Sequence, residues 1–242
     1  MAQLPDGRAL PGKLFIVEGI DGSGKSTQLD LLSKSLIGQG YCVAFSEWNS
    51  SPVVKATTKR GKKKQLMTPN SFSLIHAADL ADRMERQILP ALKAGAIVLA
   101  DRYIYTAFGR DVVYAFAVKP TVAFYFRVTL EESLRRILGG RPHLKYYEAG
   151  MDIGLSDDPY ESFTLFQGRI LEEYDRMVDE YGLTVIDATK PLVEQQEIVR
   201  EIITPLLSGA LRAEPSAWRE VLAAESVYGR YLDEVLPERS SP

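Results

Sequence analysis

The residues Leu14-Phe15-Ile16-Val17-Glu18 run straight into Gly19-Ile20-Asp21-Gly22-Ser23-Gly24-Lys25-Ser26-Thr27. The first part is a short apolar run of the kind that fills a buried parallel strand. From Lys25 the pattern turns helical, with Leu29, Leu32 and Leu36 on one face. Between strand and helix, Gly19 to Ser26 satisfies G-x-x-x-x-G-K-[ST] in full, in the setting that gives this motif its meaning. Glycines let backbone N–H groups turn inward and surround phosphate oxygens without Cβ clashes. The start of the helix adds partial positive charge. Lys25 is placed to reach the β- and γ-phosphates of ATP, and the Ser26 hydroxyl to ligate Mg²⁺. The expected ATP-binding residues are therefore Gly19, Asp21, Gly22, Ser23, Gly24, Lys25, Ser26 and Thr27.

Outward from this loop, strand-like and helix-like stretches alternate. Residues 41–45, 96–100, 122–128 and 184–186 read as further strands. Helical patterns cover 72–94, with Pro90 as a bend and Gly95 as a cap, and then 130–138, 163–181 and 193–207. Residues 50–69 are polar and basic and read as a loop or a short helix. Such alternation predicts an α/β fold of the P-loop NTPase type, a parallel sheet with helices on both faces. The expected organisation is an N-terminal arm over 1–12, a kinase domain over 13–208 with a lid near 135–148, and a helical extension over 209–242.

A second acidic element follows the strand at 96–100. In a parallel sheet ligands gather at the carboxyl ends of strands. Asp101 therefore emerges beside the phosphate loop, where its carboxylate suits Mg²⁺, and Arg102 suits a second phosphate. A strand-end ion pair is the plainer reading of the two. Asp21, inside the loop, needs a partner such as Mg²⁺, an arginine or a substrate hydroxyl.

Composition narrows the remaining classes. The formal charge is -3, which gives no bulk attraction to nucleic acid or to an anionic membrane. No apolar run approaches the roughly 20 residues of a membrane-spanning helix. The N-terminal residues lack a signal peptide's apolar stretch. One cysteine, Cys42, forbids an internal disulfide and suits a cytoplasmic setting. Two histidines and one cysteine argue against a zinc site.

Together, Glu18 to Gln28, Asp101-Arg102-Tyr103 and Ile186-Asp187-Ala188-Thr189 resemble the signatures of the thymidylate kinases, in order and spacing, over roughly residues 13–207. The resemblance implies an ATP-dependent kinase whose acceptor is dTMP or a related nucleotide, with Mg²⁺, working as a homodimer. It places Asp21 at the acceptor's sugar or the metal and makes Arg102 the clamp on the acceptor phosphate. It also makes 135–148 a mobile lid, with Arg136, Arg141 and Lys145 as its cations. Lys25, Asp21, Arg102 and Arg141 are thus the expected catalytic residues, Arg136 an ATP contact, and Ser26 and Asp101 the metal ligands.

The chain departs from that family where the acceptor is read. Residues 46–52 are Ser46-Glu47-Trp48-Asn49-Ser50-Ser51-Pro52 and lack the arginine the family places there; the nearest cations are Lys55, Lys59 and Arg60. The positions of the family's base-stacking phenylalanine and base-reading arginine hold His76 and Leu80. Phe72 and Arg83, each about one helical turn away, are the expected substitutes, with Trp48 lining the pocket or capping the core. His76, on a mostly apolar helix, reads as a hydrogen-bonded core residue before it reads as a catalyst. Residues 103–120 are short and lack the family's polar cluster around the base.

The run Lys59-Arg60-Gly61-Lys62-Lys63-Lys64 reads as a solvated loop or as an arm over the acceptor pocket. Two alternatives stand beside the dTMP kinase. One is a P-loop kinase for a different nucleotide or nucleoside. The other is a nucleotide-binding switch with little turnover. The two asparagines, Asn49 and Asn70, begin no guanine-reading Asn-Lys-x-Asp motif. Residues 215–235, with Trp218, Leu222, Val227 and Tyr231, read as a helix packed on its own domain or offered to a partner.

Overall fold

A computed structural model describes residues 1–106 and 116–212. The expected helix at 215–235 and part of the short 103–120 stretch lie outside them. Strands β1 (Lys13–Glu18), β2 (Val43–Glu47), β3 (Ile97–Asp101), β4 (Val122–Arg127) and β5 (Thr184–Asp187) form one sheet in the order β2-β3-β1-β4-β5. Every pairing is parallel, and Phe15 of β1 lies opposite Leu99 of β3 and Val122 of β4. Helix α1 (Lys25–Gly38) follows β1, then come α2 (Lys55–Lys63), α3 (Pro69–Arg83), α4 (Leu89–Lys93), α5 (Leu130–Gly140), α6 (Pro159–Tyr181) and α7 (Leu192–Ile203).

The strands are apolar on both sides because both sides are covered. Phe15, Val17, Ile97, Leu99, Phe124 and Phe126 pack with Leu29, Leu32 and Leu36 of α1 and Val199 and Ile203 of α7. Leu14, Ile16, Val98, Ala100 and Tyr125 pack on the opposite side with Leu80, Leu92, Tyr174 and Met177, from α3, α4 and α6. Each fully buried leucine or phenylalanine of this kind contributes about 1.5–3 kcal/mol relative to an exposed one. The result is the α/β architecture expected from the alternating pattern, with β1 central and the crevice at its carboxyl end.

Three local features differ from the sequence expectation or resolve it. Residues 50–69 hold a true helix, α2, whose packing rests on the buried Thr58. The long helix expected over 72–94 begins earlier, at Pro69, where Thr68 and Ser71 form a capping box. It also contains a π-helical turn at Met84–Ile88, just before Pro90, where a proline in α4 has no N–H to give. Residues near the N-terminus fold back on the domain: Gln3 bridges to Ala9 and Lys119, and Ala2 and Leu10 are buried in the core.

Candidate active site

The loop between β1 and α1 lines a cavity of about 350 Å³ with Asp101 and Arg102. Gly22 has φ +78°, and a Cβ there would stand 2.7 Å from the Ser133 carbonyl oxygen of α5. Only glycine meets both demands. The Ser133 hydroxyl also donates to the Asp21 carbonyl at 2.7 Å, so α5 holds the loop from outside.

Lys25 is buried, and its ammonium donates to the Ile20 carbonyl at 2.7 Å and the Ser23 hydroxyl at 3.2 Å. Burial and the nearby Arg102 push it down to about 8, against the pull of Asp21, Asp101 and Glu18. Burial works against the Asp21 carboxylate, but Arg102 and Lys25, with Lys145 behind them, hold it below its ordinary value. Arg102 forms an ion pair with Asp21, so the two residues expected at the acceptor meet each other across the cavity. The Ser26 hydroxyl donates to Asp101 Oδ2 at 3.1 Å, and Asp101 Oδ1 is buried without a hydrogen-bond partner among the described residues. Among the described residues no group of three or more histidine, cysteine or acidic side chains could hold a metal.

Arg102 adopts φ +61°, a conformation that costs an ordinary residue about 1–3 kcal/mol and persists only where the surroundings enforce it. Its own N–H donates to Val17 O at 3.0 Å. The next N–H, of Tyr103, donates to Glu18 Oε1 at 2.7 Å, and the Tyr103 hydroxyl donates to Val118 O at 2.9 Å. Glu18 Oε2 accepts from the Tyr174 hydroxyl at 2.8 Å. Sequence reasoning passed over Glu18, Tyr103 and Tyr174 as functional residues. The available signal was an acidic residue closing an otherwise apolar strand directly before the loop.

An aromatic group stands beside this charged cluster. Trp48, after β2, stacks on His76 at 4.5 Å, and Phe72 meets His76 edge-on at 4.4 Å. Tyr147, in the segment expected to form a lid, lies 5.6 Å from Phe72. His76 is almost fully buried, and neither ring nitrogen has a hydrogen-bond partner among the described residues. Burial, reinforced by Lys62, Arg102 and Arg83, pushes its pKa down to about 3, so the ring is neutral.

Arg83 lies elsewhere. It is fully buried, donating to Asp79 at 2.8 Å and the Ser46 hydroxyl at 2.8 Å. Asp79 also accepts from the N–H groups of Asn49 and Ser51, each at 2.9 Å. Arg83 therefore fixes the chain that carries Trp48 and does not open to the cavity.

The cations expected of residues 135–148 separate in the same way. Arg136 donates to Glu132 at 2.6 Å and to the Ala188 carbonyl at 2.8 Å, next to the turn after β5, and its NH1 lies 3.9 Å from where a Gly24 Cβ would be. Arg141 is paired with Glu148 within the same segment and donates to the His143 carbonyl at 3.1 Å. Lys145 is exposed and acts electrostatically on Asp21.

A phosphate loop at the carboxyl end of a central parallel strand, faced by a carboxylate and an arginine from the next strand, defines a P-loop phosphotransferase. A family model described as thymidylate kinase matches residues 17–199. The chain belongs to the thymidylate kinase family. It is 44% identical over 213 residues to "Probable thymidylate kinase 2" of Saccharolobus solfataricus, covering 83% of this chain and 99% of that one. It is 31% identical over 220 residues to "Probable thymidylate kinase" of Thermococcus gammatolerans, covering 82% and 99%. It is 29% identical over 213 residues to "Thymidylate kinase" of Halothermothrix orenii, covering 79% and 94%. No helix of the described residues is long and apolar enough to cross a membrane.

Proposed function

We propose that the protein transfers the γ-phosphoryl group of ATP to dTMP. The observation that carries this reading is the pairing of Arg102 with Asp21 of the phosphate loop, with Arg102 also acting electrostatically on His76 in the aromatic group of Trp48, His76 and Phe72. That placement offers a donor phosphate site, a cation for a second phosphate and apolar rings for a base, side by side. The wide coverage of relatives described as thymidylate kinases supports the same acceptor.

Transfer is in-line, without a covalent intermediate, and the protein acts by positioning and by neutralising charge. Lys25 and the loop N–H groups bind the donor's β- and γ-phosphates. Arg102 turns from Asp21 to the acceptor phosphate, and Asp21 is released to orient the acceptor's sugar. Lys145 and Arg136 cover the donor side and exclude water. The buried, unpartnered oxygen of Asp101 and the hydroxyl of Ser26 fit Mg²⁺, which takes few protein ligands beside phosphate oxygens. When bound there, Mg²⁺ supplies charge neutralisation on the donor's phosphates. A cytoplasmic setting fits a chain whose one cysteine, Cys42, is buried; a homodimer rests on the family resemblance alone.

The test is ADP release from Mg·ATP with a panel of nucleoside monophosphates and nucleosides. Turnover with dTMP well above the other members is expected. Turnover confined to another nucleotide, or to nucleosides, overturns the acceptor.

A further inference from the structure

Lys59, Arg60, Lys62, Lys63 and Lys64 crowd the end of α2, a charge the phosphate loop does not use. A merely solvated face would leave all of them in water. Lys59, Arg60, Lys63 and Lys64 are exposed, but Lys62 is half-buried, with its ammonium 4.9 Å from the centre of the Phe72 ring. The backbone holds it there. A Cβ on Gly61 would stand 2.8 Å from the Met67 side chain, so the glycine lets this turn of α2 pack closely on Met67 without displacing it. Met67 in turn donates its N–H to the Tyr147 hydroxyl at 3.1 Å.

The surroundings of that ammonium are short of negative charge. Burial and Arg102 disfavour its charged form, Lys145 adds to this, and Asp21 and Asp79 offset only part. Asp21 is already paired with Arg102, and Asp79 with Arg83. Four cations, Lys25, Lys62, Arg102 and Lys145, thus act on the single carboxylate of Asp21. A phosphate dianion beside Arg102 corrects that imbalance, and draws a lysine more strongly than the face of a phenylalanine does.

We propose that Lys62, carried by α2 over the ring of Phe72, is a ligand for the acceptor's phosphate and acts together with Arg102. It supplies the cation that residues 46–52 do not. The inference rests on the reading of the acceptor as a nucleoside monophosphate.

The test is steady-state kinetics and ligand displacement on the full chain carrying Lys62→Met, which keeps the apolar stem on Phe72 and removes the charge, and Lys62→Arg. Lys62→Met is expected to raise the KM for dTMP about tenfold or more, a loss of ~1.4 kcal/mol or more. The KM for ATP and the inhibition constant of thymidine, which has no phosphate, should stay within about twofold. Lys62→Arg should recover most of the loss. An unchanged KM for dTMP, or an equal loss for dTMP and thymidine, overturns the assignment while leaving the kinase intact. A wild-type protein that phosphorylates no nucleoside monophosphate overturns the acceptor reading and the assignment with it.

Discussion

Tyr174, near the middle of α6, donates its hydroxyl to Glu18 at 2.8 Å across a sequence separation of 156 residues. Glu18 is fully buried at the end of β1, and its other oxygen accepts from the N–H that follows Arg102. One carboxylate thereby ties the base of the phosphate loop to the turn that aims Arg102. Tyr174→Phe keeps the stack on Tyr125, at 5.0 Å, and removes the donor. Leaving a buried acceptor short of a partner costs about 1–3 kcal/mol. Thermal unfolding should show that loss, and the KM for the acceptor should rise more than that for ATP, because it is Arg102 that loses its hold.

Asp79 and Arg83 form a fully buried ion pair that also gathers Asn49, Ser51 and Ser46. Removing one partner strands the other charge, at a cost of about 3–5 kcal/mol. Asp79→Ala should lower the urea midpoint accordingly. The paired replacement Asp79→Leu with Arg83→Met should recover the part due to the stranded charge but not that due to the Asn49 and Ser51 N–H groups losing their acceptor. ATP affinity of the folded fraction should be unchanged in both, since neither residue reaches the phosphate loop.

Lys25 titrates near 8 in the free protein because burial and Arg102 disfavour its charge. Bound phosphates restore the charged form and raise that value. Nucleotide binding should therefore take up protons above about pH 8 and almost none near pH 7, and affinity should fall as pH rises through that window. Calorimetry in buffers of different ionisation heat measures the uptake. Lys25→Ala should abolish it and lower turnover on the order of 10²–10³-fold or more.

His76 is held neutral down to about pH 3, whereas in the unfolded chain it takes a proton near its ordinary 6.5. The unfolded state binds the extra proton between those values, so His76 subtracts stability as pH falls from 6.5 towards 3. His76→Phe should flatten that part of the acid limb. The gap between the two proteins' unfolding free energies should change by at most about 1.4 kcal/mol per pH unit, read from denaturant titrations at stepped pH.

The phosphate loop and the five strands were legible because their signals are local. The loop needs its glycines, lysine and serine in fixed order, and buried parallel strands need unbroken apolar runs. Arg83 was not legible. Its helical spacing put it near the acceptor, but three-dimensional packing gave it Asp79 as a partner and closed it off. The same limit applies to residues 135–148: Arg141 and Lys145 are alike in sequence, and only the fold assigns Glu148 to Arg141 and leaves Lys145 exposed. In the 59–64 run, equal charges hid the one that differs. Lys62 is set apart by the contact of its neighbour Gly61 with Met67, which composition does not encode.

The fold-back of the first residues bears on how this protein should be handled. Ala2 and Leu10 are buried and Gln3 exchanges both backbone hydrogen bonds with Lys119, although the family match begins only at residue 17. The packed fold therefore extends beyond the residues that the family model matches. A chain trimmed to start at β1, at Lys13, would bare the apolar surface under Ala2 and Leu10 and leave the Lys119 backbone without the two hydrogen bonds it shares with Gln3, while one trimmed to the match itself would also remove the buried Leu14, Phe15 and Ile16 of the central strand. An affinity handle fused directly to Ala2 would strain the same joint, and a spacer ahead of Met1, itself exposed, would relieve it.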